Sequence, residues 1–290
     1  MAIAAVSARR SGVISGAFKV AFGDPLTGVG TTGCLLLVAV ALFGPTLAPY
    51  DPVAQDMLAR FADPSASHWL GTDEFGRDVF SRLLYAAQAS IGISLLSVFF
   101  GLLIGGLIGL LAGYRGGVAD LIVLEASNLL LAFPTIVLGI VILVALGSGV
   151  FNVVIALTVA FVPRFARLVR AETLTIKEKN FVEAARAAGA SDGRIMLRYI
   201  LPNVVGTAIV SAALWTATAL RAEATLSFLG LGVQLPYPSW GNMTSEGIVY
   251  MFDNASLVLW PSLAIVIAVV AFNLAGDALR DYLDPRLTER

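Results

Sequence analysis

The chain has 290 residues, of which 58% are hydrophobic and only 13% charged, with a mean hydropathy of +0.84. Soluble domains carry about 25% charged residues, so this composition excludes a soluble globule, a disordered chain and a coiled coil, and it points to lipid as the solvent. One histidine (His68) and one cysteine (Cys34) exclude a His/Cys metal cage and a disulfide framework within the chain. The net charge of −1 matters less than where the charges fall.

A spanning helix takes about 20 mainly apolar residues. Six stretches qualify: 26–48, 91–113, 121–147, one from Val150 that runs out at Arg164 to Leu168, 203–220 and 255–276. The first starts too late and runs too long for a cleavable leader. The third contains Pro134, which removes a backbone hydrogen bond and predicts a kink. Lys and Arg accumulate in cytoplasmic loops. With the N-terminus inside, 15 of the 19 Lys and Arg fall on the inner side, eight of them after span four. Only Arg60, Arg77, Arg82 and Arg221 fall outside. Both termini are therefore expected in the cytoplasm.

This divides the chain into a cytoplasmic segment 1–25, the first span, an extracytoplasmic loop 49–90, a five-helix core 91–276 and a cytoplasmic tail 277–290. Within the core, an inner loop 164–202 and an outer loop 224–254 are too long for simple connectors. The spans hold few ionisable residues: Glu125, three residues from Asn128, and Arg221 with Glu223 at the outer end of span five. Intramembrane charge is costly and marks functional candidates. Arg221 and Glu223 are candidates for the mouth of a pathway; the alternative is that both anchor the 227–232 turn. Snorkelling or helix capping is the favoured reading for Glu125 and Asn128. Gly101, Gly105, Gly109 and Gly113 recur every fourth residue, a small-residue ridge for close helix packing within this chain or against a second one.

The inner loop reads as two short helices. Phe181, Ala184, Ala185 and Ala188 share a face at helical spacing, Gly189 stops the helix, and Ser191 is placed to cap the next, whose apolar face is Ile195, Met196, Tyr199 and Ile200. An amphipathic hairpin on the membrane surface and a protein-docking helix both fit. The flat alanine face favours docking.

Glu183-Ala184-Ala185, Gly189 and Leu201-Pro202 resemble the EAA motif of ABC importer permeases, with Tyr199 where that family usually has an aliphatic residue. The stretches HWLGTDEFGRDVFSRLLYAAQASI (68–91) and LSFLGLGVQLPYPSWGNM (226–243) resemble the C-type permease subunit of dipeptide, oligopeptide and nickel importers. The similarity runs from His68 to Asp284-Pro285. It implies an all-α membrane protein of six transmembrane helices with the type I ABC importer permease fold, in the bacterial inner membrane. Glu183, Ala184, Ala185 and Gly189, within a coupling loop 171–202, would form the coupling helix that docks on a cytoplasmic ATPase. The implied partners are a B-type permease completing a heterodimer, one or two ATPase subunits, an extracytoplasmic binding protein and membrane lipid, with no nucleic acid.

No GxxxxGK[ST] loop occurs; the glycine-rich stretch 23–33 lacks the lysine. ATP and Mg would therefore sit on partner subunits, with no cofactor, metal or catalytic site expected in this chain. Substrates consistent with the similarity are dipeptides, longer oligopeptides, nickel complexes and glutathione. A stand-alone ion-coupled carrier is the alternative; it calls for inverted repeats and acids near the midplane. In the outer loop, Asp73, Arg77 and Asp78 are expected to form an ion-pair lattice, His68 to hydrogen-bond locally, and Gly71, Gly76, Gly230 and Gly232 to make turns.

Overall fold

The computed structural model describes residues 25–283. Arg9, Arg10, Lys19, Arg286, Arg290 and the Asp284-Pro285 pair lie outside that range. The fold is helical: α1 (Pro25–Leu47), α2 (Val79–Arg115), α3 (Gly117–Leu131), α4 (Thr135–Leu146), α5 (Val150–Lys177), α6 (Asn180–Ala187), α7 (Asp192–Ile195), α8 (Leu201–Phe228), α9 (Trp240–Ile248) and α10 (Ser256–Leu283). Five helical stretches are long and apolar enough to span a membrane, and α3 with α4 makes a sixth if the bent pair counts as one.

Helix direction follows from the glycine ridge. Gly101 lies against Phe161, Gly105 against Val162 and Phe165, Gly109 against Ala166, and Gly113 against Arg170 and Thr173. Residue numbers rise together, so α2 and α5 run parallel, and the ridge packs within the chain. A Cβ at Gly105 would come 2.3 Å from the Val162 carbonyl oxygen, a distance that forbids any side chain there. Parallel α2 and α5 require the chain to recross between them, and α3 with α4 makes that return.

Several boundaries differ from expectation. Span two begins at Val79 rather than 91, because the Asp78 side chain caps it by accepting from Ser81 N–H at 2.8 Å. Its first turns bury Val79, Ser81, Arg82 and Ala86 against loop and α9 rather than lipid, so hydropathy alone misses them. Span three is not one kinked helix. Pro134 separates α3 from α4 at 92°, the residues 132–134 forming the break. Spans four and five extend to Lys177 and Phe228, beyond the lipid-length window.

Gly30 packs on Leu274 and Gly44 on Leu84, so the start of α1 lies beside the end of α10 and the end of α1 beside the start of α2. Leu110, Tyr114, Val169 and Ile176 cluster with Val182, Ile195 and Ile200, which places α6 and α7 at the end of the bundle where α2 and α5 finish. At the opposite end, Ile93, Val98, Leu143, Val153 and Leu226 form a second core.

A candidate coupling site and the outer lattice

Helix α6 has a short, strongly two-sided sequence. Val182 and Ala185, three apart, turn inward at 0% and 8% exposure. Phe181, Glu183, Ala184, Ala187 and Ala188 are exposed. This corrects the expected alanine face: Ala185 lies beneath it, beside Val182, whose larger side chain decides which way the helix rolls. The helix closes on Gly189 at φ +79, where Gly189 N–H donates to the Arg186 carbonyl and Ala190 N–H to the Ala185 carbonyl, both at 3.0 Å. These two bonds make a Schellman end, which needs a left-handed residue at that point. Space is not the constraint, since a Cβ at Gly189 would meet nothing. Ser191 stands at the start of α7, but its side chain makes no cap bond.

The loop is fastened from below. Val182, Ile195 and Ile200 are fully buried, each burial contributing about 1.5–3 kcal/mol. Polar bonds set its position. Tyr114 Oη, in the last turn of α2, donates to Asp192 Oδ1 at 2.5 Å. Lys177 Nζ, at the end of α5, donates to the Tyr114 carbonyl oxygen at 2.5 Å and lies 5.5 Å from the Tyr114 ring centroid. Higher on α5, Arg170 makes a bidentate pair with Asp120 of α3, its Nη2 donating to Oδ2 at 2.7 Å. The exposed face of α6 is thus carried on a junction of α2, α3, α5 and α7. Asp120, Tyr114, Lys177 and Asp192 belong to no sequence motif; for Asp120 and Lys177 the available signal is a charge in the first or last turn of a helix.

The other candidates fall elsewhere. Glu125 and Asn128 are both exposed on α3. Arg221 is exposed, with Nη2 donating to Thr218 Oγ1 at 3.3 Å. Glu223 is 0% exposed, and its Oε1 accepts from Ser227 Oγ at 2.7 Å. The Glu223 side chain is therefore closed off from the surface of this chain. Residues two apart on a helix lie about 200° apart around its axis, and α9 packs beside Glu223: a Cβ on Gly241 would come 2.3 Å from the Ala224 carbonyl oxygen and 2.8 Å from Ser227 Cβ. Ser227 Oγ also accepts from Val233 N–H at 3.4 Å, so Glu223 braces the turn.

In the outer loop, Arg77 Nε donates to Asp73 Oδ2 at 2.6 Å and Nη2 to Glu74 Oε1 at 2.8 Å. Arg82 reaches Asp73 at 3.3 Å and Glu246 of α9 at 2.7 Å. Asp78 lies outside this lattice; it pairs with His68 Nδ1 at 2.9 Å while capping α2. Burial pushes the Glu74 carboxyl above the usual carboxylate range, opposed by neighbouring Arg77. Gly71, Gly76 and Gly230 take positive φ, whereas Gly232 serves close contact with Ser227 instead. Glu74, Arg82 and Glu246 extend the lattice beyond the residues the sequence suggested.

Residues 105–289 match the family of binding-protein-dependent transport system inner membrane components. The chain is 44% identical over 254 residues to the glutathione transport system permease protein GsiD of Pectobacterium atrosepticum, covering 87% of this chain and 84% of that protein. It is 39% identical over 271 residues to the dipeptide transport system permease protein DppC of Alkalihalophilus pseudofirmus, covering 93% and 89%. Its fold is that of a chain in an inward-facing structure of the MetNI methionine ABC transporter, with a TM-score of 0.56 at 23% identity over 69% of this chain and 96% of that one. The chain belongs to the binding-protein-dependent transport-system inner-membrane-component family and is a multi-pass permease subunit of the type I ABC importer fold.

Proposed function

We propose that this chain forms half of the translocation pathway of an ATP-driven peptide importer, paired with a B-type permease. One or two cytoplasmic ATPases, which carry the ATP and Mg, would dock on α6. An extracytoplasmic binding protein would deliver substrate to the opposite end, and the chain itself would contribute no catalytic group. The observation that carries this reading is α6: an exposed Glu183/Ala184/Ala188 face on a glycine-closed helix whose underside is fixed to α2 and α5. Such a helix accepts a push from a partner and passes it to spanning helices. Closure of the ATPases would move α6 and open the pathway outward; hydrolysis would reset it.

A peptide as cargo is supported by relatives whose names specify glutathione and dipeptide transport. Cytoplasmic termini are supported by the positive-charge bias of the α6–α7 side and by the juxtaposition of the start of α1 with the end of α10. Co-purifying the chain with its genomic neighbours, then measuring ATP-dependent uptake of labelled peptides into proteoliposomes, tests the reading. Uptake requiring all subunits is expected. Uptake by this chain alone, driven by an ion gradient, would overturn it.

A further inference from the structure

At the end of the bundle opposite α6, a cavity of about 330 Å3 opens between α2, the start of α5 and the segment leading into α9. Its lining includes Tyr85, Gln88, Val150, Val233, Gln234 and Tyr237. The volume lies within the range of small-ligand sites.

The lining holds no Asp, Glu, Lys, Arg or His. Tyr85 is half-buried and Gln88 exposed; one helical turn apart on α2, neither has a hydrogen-bond partner among the described residues, so a phenol hydroxyl and a carboxamide face the cavity mouth, open to solvent or ligand. A carboxamide offers one acceptor and two donors. That is the complement of a peptide group, which offers a C=O and an N–H. The facing wall is preorganised. Asn242 Nδ2 donates to the Val233 carbonyl at 3.2 Å and to the Tyr237 carbonyl at 3.0 Å. Ser239 and Asn242 lock that corner by a reciprocal capping box. Gln234 Nε2 is turned back onto the carbonyls of Gly230 and Gly232 at 3.2 and 3.0 Å. A rigid wall loses little entropy on binding.

We infer that this cavity is a contact site for the uncharged backbone of a translocating peptide, with Gln88 pairing an internal peptide group and Tyr85 donating to or accepting from its neighbour. The inference rests on the peptide-import reading above. An uncharged cavity suits the interior of a peptide rather than its termini, and it places no demand on the side chains carried past it. The contact would therefore be tolerant of sequence.

The test uses the whole complex with its binding protein in proteoliposomes. A photoreactive phenylalanine at Gln88 is expected to cross-link radiolabelled peptide during ATP-driven uptake, and excess unlabelled peptide should compete it away. The same probe at Phe252, which is 95% exposed on the α9–α10 turn, should capture no peptide. Tyr85→Phe and Gln88→Leu should each raise the peptide concentration for half-maximal uptake roughly two- to tenfold, the loss of one hydrogen bond, with assembled complex unchanged. Label transferred only to the binding protein, or both substitutions leaving half-saturation unchanged while the complex imports peptide, would overturn the inference and leave the import reading standing. A complex that assembles and imports no peptide would overturn both.

Discussion

Tyr114 and Asp192 are joined by a 2.5 Å hydrogen bond across 78 residues of sequence, tying the last turn of α2 to the first turn of α7. A hydrogen bond to a charged group contributes about 1.5–3 kcal/mol. That is less than the combined burial of Val182, Ile195 and Ile200 beside it, so the loop stays folded when this bond is lost.

Tyr114→Phe should accordingly insert and assemble normally while import drops several-fold. ATP hydrolysis should persist without matching uptake. The ratio of peptide imported to ATP consumed is the quantity to measure. A ratio equal to that of the unmodified complex would show that α2 receives its displacement by another route.

Ala184 and Ala185 are adjacent but should respond oppositely to enlargement. Ala184 is exposed, so Ala184→Trp should leave the chain stable in the membrane and reduce ATPase co-purification. Ala185 is buried against its own chain, so Ala185→Trp should overpack that contact by about 1–3 kcal/mol. It should lower the amount of folded permease before any docking is tested. Membrane content by immunoblot, set against ATPase recovered, separates the two.

Gly105→Leu should prevent α2 and α5 from closing, because its Cβ alone would meet the Val162 carbonyl at 2.3 Å. Almost no assembled complex is expected. Gly92, where a side chain meets nothing within 4 Å, should accept alanine with no loss. Monodispersity in detergent reads both.

The Arg82–Glu246 contact is one of the bonds that hold α9 to α2, beside Trp240 Nε1 donating to the Leu83 carbonyl and Trp240 N–H to Ser90 Oγ, both at 3.2 Å. Removing one member of a fully buried pair costs about 3–5 kcal/mol; here the Glu246 side chain is 18% exposed and keeps Arg77 at 3.5 Å, so the cost is expected below that range. Arg82→Met should therefore lower thermal stability more than the double change Arg82→Met with Glu246→Leu. Melting temperatures of the purified complex provide the comparison, and additive losses would place the pair in effective contact with solvent.

Much of this architecture is legible in one sequence because lipid imposes a long apolar period that few other solvents require. The Gly101–Gly113 ridge announced a helix contact, since a strict four-residue repeat of glycine has little other use. Gly189 announced a helix stop for the same kind of reason. What escaped was structure stabilised outside the hydrocarbon. The first turns of α2 begin at Val79 because of the Asp78 cap and the Arg82 lattice, neither of which raises hydropathy. Glu246 lies 164 positions from Arg82, and no local pattern links them. The rotation of α6 depends on Val182 outcompeting Phe181 for the interior, a choice between two apolar residues that periodicity leaves open. The burial of Glu223 depends on a different helix, whose Gly241 packs against Ala224 and Ser227 beside it.

Helix α2 runs uninterrupted for 37 residues, about 55 Å at 1.5 Å per residue, well beyond the hydrocarbon thickness of about 30 Å. Its two extremities are both gripped, one by the Asp73–Arg82–Glu246 charges and the other by Asp192 and Lys177. A rod held in this way works as a lever: each degree of tilt about one end carries the other through about 1 Å. A rocking of only a few degrees at the α6 end would therefore shift the outer rim by the width of a hydrogen bond, without any helix having to melt or slide.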